Sequence, residues 1–175
     1  SRMATLSPRA SVICDATVGT PFLVRPLQQK NPAERPDYII HSYTKDLTGH
    51  GTTTAGVVIG RNEDMFLPKG DTSPSGKSWH DTLFWNVYYI KGAFLDSDKA
   101  FEVLTGMKTL ELRMLKKCIN TMVFTRWLAS NPLVTVSGPA NPRDPNHAIA
   151  ARLSYLGLPA PLFTINFEAA KVTRV

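Results

Sequence analysis

Apolar residues come first in short β-branched runs and later at helical spacing. "ASVICDATVG", from Ala10, reads as a short buried strand ending at Asp15 and followed by a turn. "TPFLVRPLQQKNPAERP" carries four prolines and reads as a loop with one short helical turn. "DYIIHSYTK" is a second strand, and "TAGVVIGR", bounded by glycines, a third. None of the three alternates cleanly with polar residues, which predicts strands buried on both faces of an α/β sheet. From Arg61 to about Asp81 the chain is polar, with Gly70, Pro74 and Gly76, and reads as a surface excursion. "DTLFWNVYYIKGAFL" is rich in aromatics and fits helix and strand equally. Thr105 to Pro132 reads as one long helix. Leu112, Leu115, Ile119, Met122, Val123 and Trp127 recur at three- and four-residue spacing, and Asn131-Pro132 ends it. The methionines in it are expected to fill core. "LVTVSG" then reads as a strand, "NPRDPN" as a loop, "HAIAARLSYLG" as a helix and "APLFTINFEA" as a strand, the start of a second, smaller domain.

The stretch "HSYTKDLTGHGTTTAG" holds the candidate chemistry. Continued as a strand, it sends Ser42, Thr44 and Asp46 to one side and Tyr43 and Lys45 to the other. A polar cluster with one amine then sits at the end of a buried strand beside a glycine-rich loop, where open α/β sheets bind ligands. Asp15 ends the neighbouring strand. Ser42 and Thr44 offer hydroxyls that, with backbone N–H groups of the glycine turn, suit a phosphate. An amine, a phosphate cradle and a buried acid are what pyridoxal phosphate requires: a lysine to condense with, donors for its phosphate, and a carboxylate at its ring nitrogen.

Composition narrows the alternatives. An apolar fraction of 43% supports a real core in a chain of 175 residues. A net charge of +6 allows an anionic ligand, but the basic residues are scattered, with Lys116–Lys117 the one Lys-Lys pair, so nucleic acid is not an expected partner. Cys14 and Cys118 lie in apolar patterns and read as small buried hydrophobes; neither a disulfide framework nor a zinc site is expected. Histidines 41, 50, 80 and 147 show no ligand spacing. "GDTSPSGKS" has five residues between Gly70 and Gly76 where a nucleotide loop needs four. No apolar run reaches membrane-spanning length, and "SRMATLSPRA" has no signal-peptide core, so the expectation is a soluble, cytoplasmic protein with no membrane partner.

"VICDATVGTPFLVRPL", "DYIIHSYTKDLTGHGTTTAGVVIG" and "GMKTLELRML" together resemble the Cys/Met-metabolism pyridoxal-phosphate enzymes. That family includes cystathionine γ-synthase, cystathionine γ-lyase, methionine γ-lyase and O-acetylhomoserine sulfhydrylase. The tail through "FTINFEA" resembles the beginning of its C-terminal domain. The resemblance implies an α/β fold: the later part of an aspartate aminotransferase-like (type I) large domain at residues 1–104, an interdomain helix at 105–131, and the start of a smaller α+β domain at 132–175. It implies pyridoxal 5′-phosphate as cofactor. Lys45 would be the catalytic lysine, Asp15 the partner of the pyridine nitrogen, Ser42 and Thr44 phosphate ligands, and Thr17 a residue against the ring. His50 is expected to serve its loop as a hydrogen-bonder, and Arg113 to support the interdomain helix.

The resemblance further implies an amino-acid substrate and a homo-oligomer, a dimer of dimers. The activity it implies is of trans-sulfuration type on a sulfur amino acid or O-acyl-homoserine. γ-Replacement of the synthase or sulfhydrylase kind is the expected reaction, with "GHGTTTAG" and the long stretch from Arg61 to Leu95 leaning towards sulfhydrylase-like members; γ- or β-elimination and a non-catalytic module are the alternatives. Ala16 stands where the family usually has Asn, and the connection "QQKNPAERP" is longer than usual. The family's enzymes are about twice as long, so the chain reads as a fragment, inactive alone. The glycine-rich phosphate turn, the ring-stacking aromatic and the substrate-carboxylate arginine are not found in it.

Overall fold

The computed structural model of the chain describes residues 10–167. Its elements are β1 (Ile13–Asp15), α1 (Thr20–Leu23), β2 (Tyr38–Ser42), β3 (Gly56–Gly60), α2 (Asn62–Met65), α3 (Ser97–Met107), α4 (Leu110–Ala129), β4 (Val134–Ser137), α5 (His147–Leu153) and β5 (Thr164–Phe167). The stretch considered for targeting, up to Arg9, and the end of "APLFTINFEA" lie outside the described residues. No helix among the described residues is long and apolar enough to cross a membrane.

The chain divides into two compact units. One holds the residues up to Thr17 together with Pro26–Thr105; the other holds Val18–Arg25 and the chain from Gly106 onward. The α/β class is as the sequence indicates, and the division is discontinuous where the sequence suggested consecutive blocks.

In the first unit β2 is central. It pairs in parallel with β1, Asp15 opposite Ile40, and antiparallel with β3, Ser42 opposite Gly56. The antiparallel partner follows from the connection, which holds only one helical turn and a glycine loop and returns on itself through Tyr43 N–H to Ala55 O at 2.9 Å. The strands are not buried on both faces: Ile39 is 4% exposed, whereas Ile13 is 60% and Val58 42% exposed. The missing alternation therefore reflects β-branched residues on an open face as well as a closed one. Cys14 is only half-buried, and burial and the neighbouring Asp15 charge both push its thiol up.

The polar excursion after β3 is anchored by a buried acid. Asp64 accepts from Arg61 Nε at 2.9 Å and pairs with Lys77, so the charge it takes out of water is compensated from two sides. The aromatic stretch that fitted either element forms a widened helical turn at Phe84–Tyr89. Phe84 stacks on Tyr88 and Trp85 on Tyr89, centroids 5.1 and 4.9 Å apart, the pairs that four-residue spacing brings together on a helical surface.

The second unit contains a three-residue centre of Leu23, Met114 and Cys118, against which Phe22, Val24, Leu110 and Leu158 pack. The single helix expected over 105–132 is two, α3 and α4. At the break the Gly106 carbonyl accepts from the Thr109 hydroxyl and the Arg113 guanidinium, at 3.3 and 2.8 Å. The Thr109 N–H also donates to it at 3.3 Å, so a turn bond and two side chains together satisfy a carbonyl that a continuous helix would have used, and Arg113 does brace the helix. The buried face of α4 is also not the expected one. Met114, Cys118, Thr121, Thr125 and Leu128 point inward, while Leu112, Ile119, Val123 and Trp127 are exposed. Two apolar-compatible stripes exist on this helix; small Cys and Thr side chains make the buried one, so bulk hydrophobicity pointed to the other. β4 and β5 form an antiparallel pair, Val136 opposite Ile165.

Met114→Ala should cost about 2–5 kcal/mol, because a fully enclosed thioether leaves a cavity. Leu112→Ala should change stability by about 0.5 kcal/mol or less. Urea denaturation of the two variants measures both.

Candidate functional site

β1 and β2 end side by side, and the expected site residues follow their last pairing. The Asp15 carboxylate caps the turn after β1: Oδ1 accepts from the Thr17 N–H at 2.9 Å. Thr17 Oγ1 in turn accepts from the Ser42 N–H, also at 2.9 Å, tying the turn after β1 to the end of β2. Asp15, Thr17 and Ser42 are thus joined in one short chain of hydrogen bonds. The bonds to Thr17 hold the Asp15 carboxyl below the usual carboxylate range, helped by the His41 charge and opposed by slight desolvation. Asp15 itself is exposed and is not the buried acid its apolar strand suggested, because a strand-end side chain can face outward from an otherwise covered segment.

Beyond Ser42 the extended chain does not continue. Tyr43–Leu47 is a widened helical turn in which Lys45, at φ −90° and ψ −130°, breaks the helical path. The alternation that set Thr44 against Lys45 therefore does not apply. Lys45 is exposed, and no ion pair engages it among the described residues. The Thr44 hydroxyl faces Ala55, accepting its N–H at 3.1 Å and donating to its carbonyl at 3.4 Å. Thr44 thereby closes the glycine loop onto the lysine turn. Gly49 and Gly51 take φ of +78° and +70°, which side chains with a Cβ rarely adopt. His50 donates from Nδ1 to the Thr48 carbonyl at 2.7 Å, a bond within its own loop.

One residue of the neighbourhood was not singled out by the sequence. His41, 3% exposed, lies on β2 directly before Ser42, and its Nδ1 has no hydrogen-bond partner among the described residues. Burial drives its pKa down, against the opposing pull of the Ala16 backbone and the Asp15 charge. A histidine in an apolar strand, with no ligand spacing to the others, gave no signal of this.

The donor set suits pyridoxal phosphate: an exposed amine, an exposed carboxylate held in its charged form, and a Ser42 hydroxyl with no hydrogen-bond partner among the described residues. No group of three His, Cys, Asp or Glu among them could hold a metal ion. A family model described as Cys/Met metabolism PLP-dependent enzyme matches residues 2–171. The chain belongs to this family.

Curated relatives include an L-methionine gamma-lyase of Treponema denticola, 32% identical over 168 residues, covering 94% of this chain and 37% of the relative. A cystathionine beta-lyase of Coxiella burnetii is 32% identical over 165 residues, covering 90% and 37%. An O-acetyl-L-homoserine sulfhydrylase of Leptospira meyeri is 30% identical over 173 residues, covering 84% and 38%. Among solved structures, cystathionine gamma synthase from Xanthomonas oryzae pv. oryzae superposes with a TM-score of 0.73 at 25% identity, covering 96% of this chain and 38% of that one. The chain spans little more than a third of the length of these family members.

His41 makes a pH signature. The folded state resists protonating it, so the unfolded state binds the proton first, and stability falls as pH drops through the ordinary imidazole range of about 6.5. His41→Gln should flatten that part of the profile. Urea midpoints of both forms between pH 8 and 5 measure the difference, and parallel profiles would exclude His41 as its source.

Proposed function

We propose that the chain carries the lysine-bearing part of the pyridoxal phosphate site in a trans-sulfuration-type enzyme. The substrate would be a sulfur amino acid or an O-acyl-homoserine, and the reaction γ-replacement of the synthase or sulfhydrylase kind. The observation that carries the reading is the convergence of the Asp15 carboxylate, through Thr17, on Ser42 at the head of the lysine turn.

Bound there, the cofactor supplies a ring that accepts electrons from the substrate's α-carbon. Asp15, kept ionised by its bonds to Thr17, holds a proton at the ring nitrogen. The Lys45 amine would hold the cofactor and would carry a proton at Nζ between substrate carbons. Ser42 Oγ would donate to the phosphate, and Thr17 would face the ring. Thr44 joins the phosphate cradle while its hydroxyl also holds Ala55.

γ-Elimination is the second reading, favoured by the L-methionine gamma-lyases among the relatives. The two share lysine, acid and phosphate cradle, and differ in what reaches the substrate's γ-carbon. The reading includes a homo-oligomeric protein, a dimer of dimers, working in the cytoplasm, where Cys14 and Cys118 stay out of a disulfide.

Incubation with pyridoxal phosphate, borohydride reduction and peptide mapping should place the label on Lys45. Lys45→Ala should abolish it, and Asp15→Ala should weaken it by about tenfold, the scale of one charge-assisted contact. Label spread over surface lysines, unchanged in Lys45→Ala, would refute the reading.

A further inference from the structure

The loop from Thr48 to Ala55 is tied at three places. At its start, Thr48 N–H donates to Tyr43 O at 3.1 Å and Gly49 N–H to Lys45 O at 2.8 Å. At its end, Ala55 N–H donates to Thr44 Oγ1 at 3.1 Å, and Ala55 O accepts from Tyr43 N–H at 2.9 Å. Both ends are therefore bonded to the three residues Tyr43, Thr44 and Lys45. The third tie comes from α3, some fifty residues away in sequence: Glu102 Oε2 accepts from the Thr52 hydroxyl at 2.9 Å and from the Thr53 hydroxyl. Thr53 is buried and Thr52 exposed, so the carboxylate grips the loop at the edge of water. Carboxylate acceptors make hydrogen bonds about twice as strong as neutral ones. The two hydroxyls hold the Glu102 carboxyl below its usual range, with Asp96 opposing and Lys99 assisting.

This tie bears on Lys45 because of where the lysine sits. Its backbone dihedrals belong neither to a helix nor to a paired strand, so no regular element dictates them. The bonds to the loop are what hold that stretch of backbone, and the loop is in turn held by Glu102.

We propose that Glu102 is a positioning residue for the lysine turn: by fixing Thr52 and Thr53 it immobilises the loop bonded to Tyr43, Thr44 and Lys45, and so orients the Lys45 amine. That the amine is oriented toward pyridoxal phosphate rests on the function proposed above. The clamp itself does not.

The test uses two readouts on the whole protein: amide hydrogen exchange at Gly49 and Ala55 without cofactor, and the rate of pyridoxal phosphate labelling at Lys45. Glu102→Leu should speed exchange at both amides on the order of tenfold and slow Lys45 labelling severalfold. Glu102→Gln, which keeps an acceptor oxygen, should restore both to within about threefold of the native protein. Adding Thr53→Val to Glu102→Leu should add little, because the two act through one bond. Should Glu102→Leu fail to fold, Thr52→Val, at an exposed hydroxyl, is read in its place. Unchanged exchange at Gly49 and Ala55 overturns the clamp, and faster exchange with unchanged labelling overturns the positioning role. If the native protein does not label at Lys45, the function above fails and the exchange readout alone decides the clamp.

Discussion

Ile13 with Tyr38, Cys14 with Ile39 and Asp15 with Ile40: three parallel pairings set where two separate stretches of chain stop. Parallel strands end at the same sheet edge, so an acid closing one and a lysine turn following the other arrive together without either sequence knowing of the other. A slip of one residue would turn Asp15 to the opposite face. The Thr17–Ser42 bond locks that register at its open end, where the strand ladder has run out. What lies around the edge, from the turn after β1 to the glycine loop after Lys45, depends on this alignment.

Three carboxylates of the first unit show two different kinds of partner. Asp64, under the polar excursion, takes cations, Arg61 and Lys77. Asp15 and Glu102, near the lysine turn, are held by threonine groups instead. There the neutral donors are the main cause holding the carboxylates below their usual range, with the His41 and Lys99 charges secondary. Lys45 follows Thr44 directly, and the described ion pairs do not involve it.

Much of this was legible in the residues. β-Branched runs marked β1, β2 and β3 to within a few positions, and the order of Asp15, Thr17, Ser42, Thr44 and Lys45 pointed to the chemistry and the family. What the pattern could not carry was conformation set by long-range bonds. Nothing local announces that the chain coils at Tyr43, because the signal is the return of Ala55 from twelve residues downstream. Leu112, Ile119, Val123 and Trp127 satisfied helical spacing as well as Met114, Cys118 and Leu128 did, and a periodicity argument weighs bulk, not neighbours. The break at Lys108 and Thr109 was invisible for a similar reason: its compensation comes from Thr109 and Arg113, which look like ordinary helix residues. Glu102, a single acid in an amphipathic stretch, gave no sign of a partner fifty residues back.

The interleaving of the two units constrains how the molecule can be assembled and dismantled. Residues Val18–Arg25 leave one unit between β1 and β2 to join the other. They bring Leu23 to Met114 and Cys118 across about ninety residues of chain. Neither unit is an uninterrupted segment, so no single cut yields two intact halves: severing the chain at Thr105 would strand Leu23 with the wrong partner. In folding, the core of the second unit cannot be completed by its own C-terminal stretch: Leu23, made much earlier, must wait for Met114 and Cys118. The hairpin of β2 and β3, closed over a dozen residues, has no such delay. The sheet edge can form as soon as its strands exist, ahead of the core that the later helix builds.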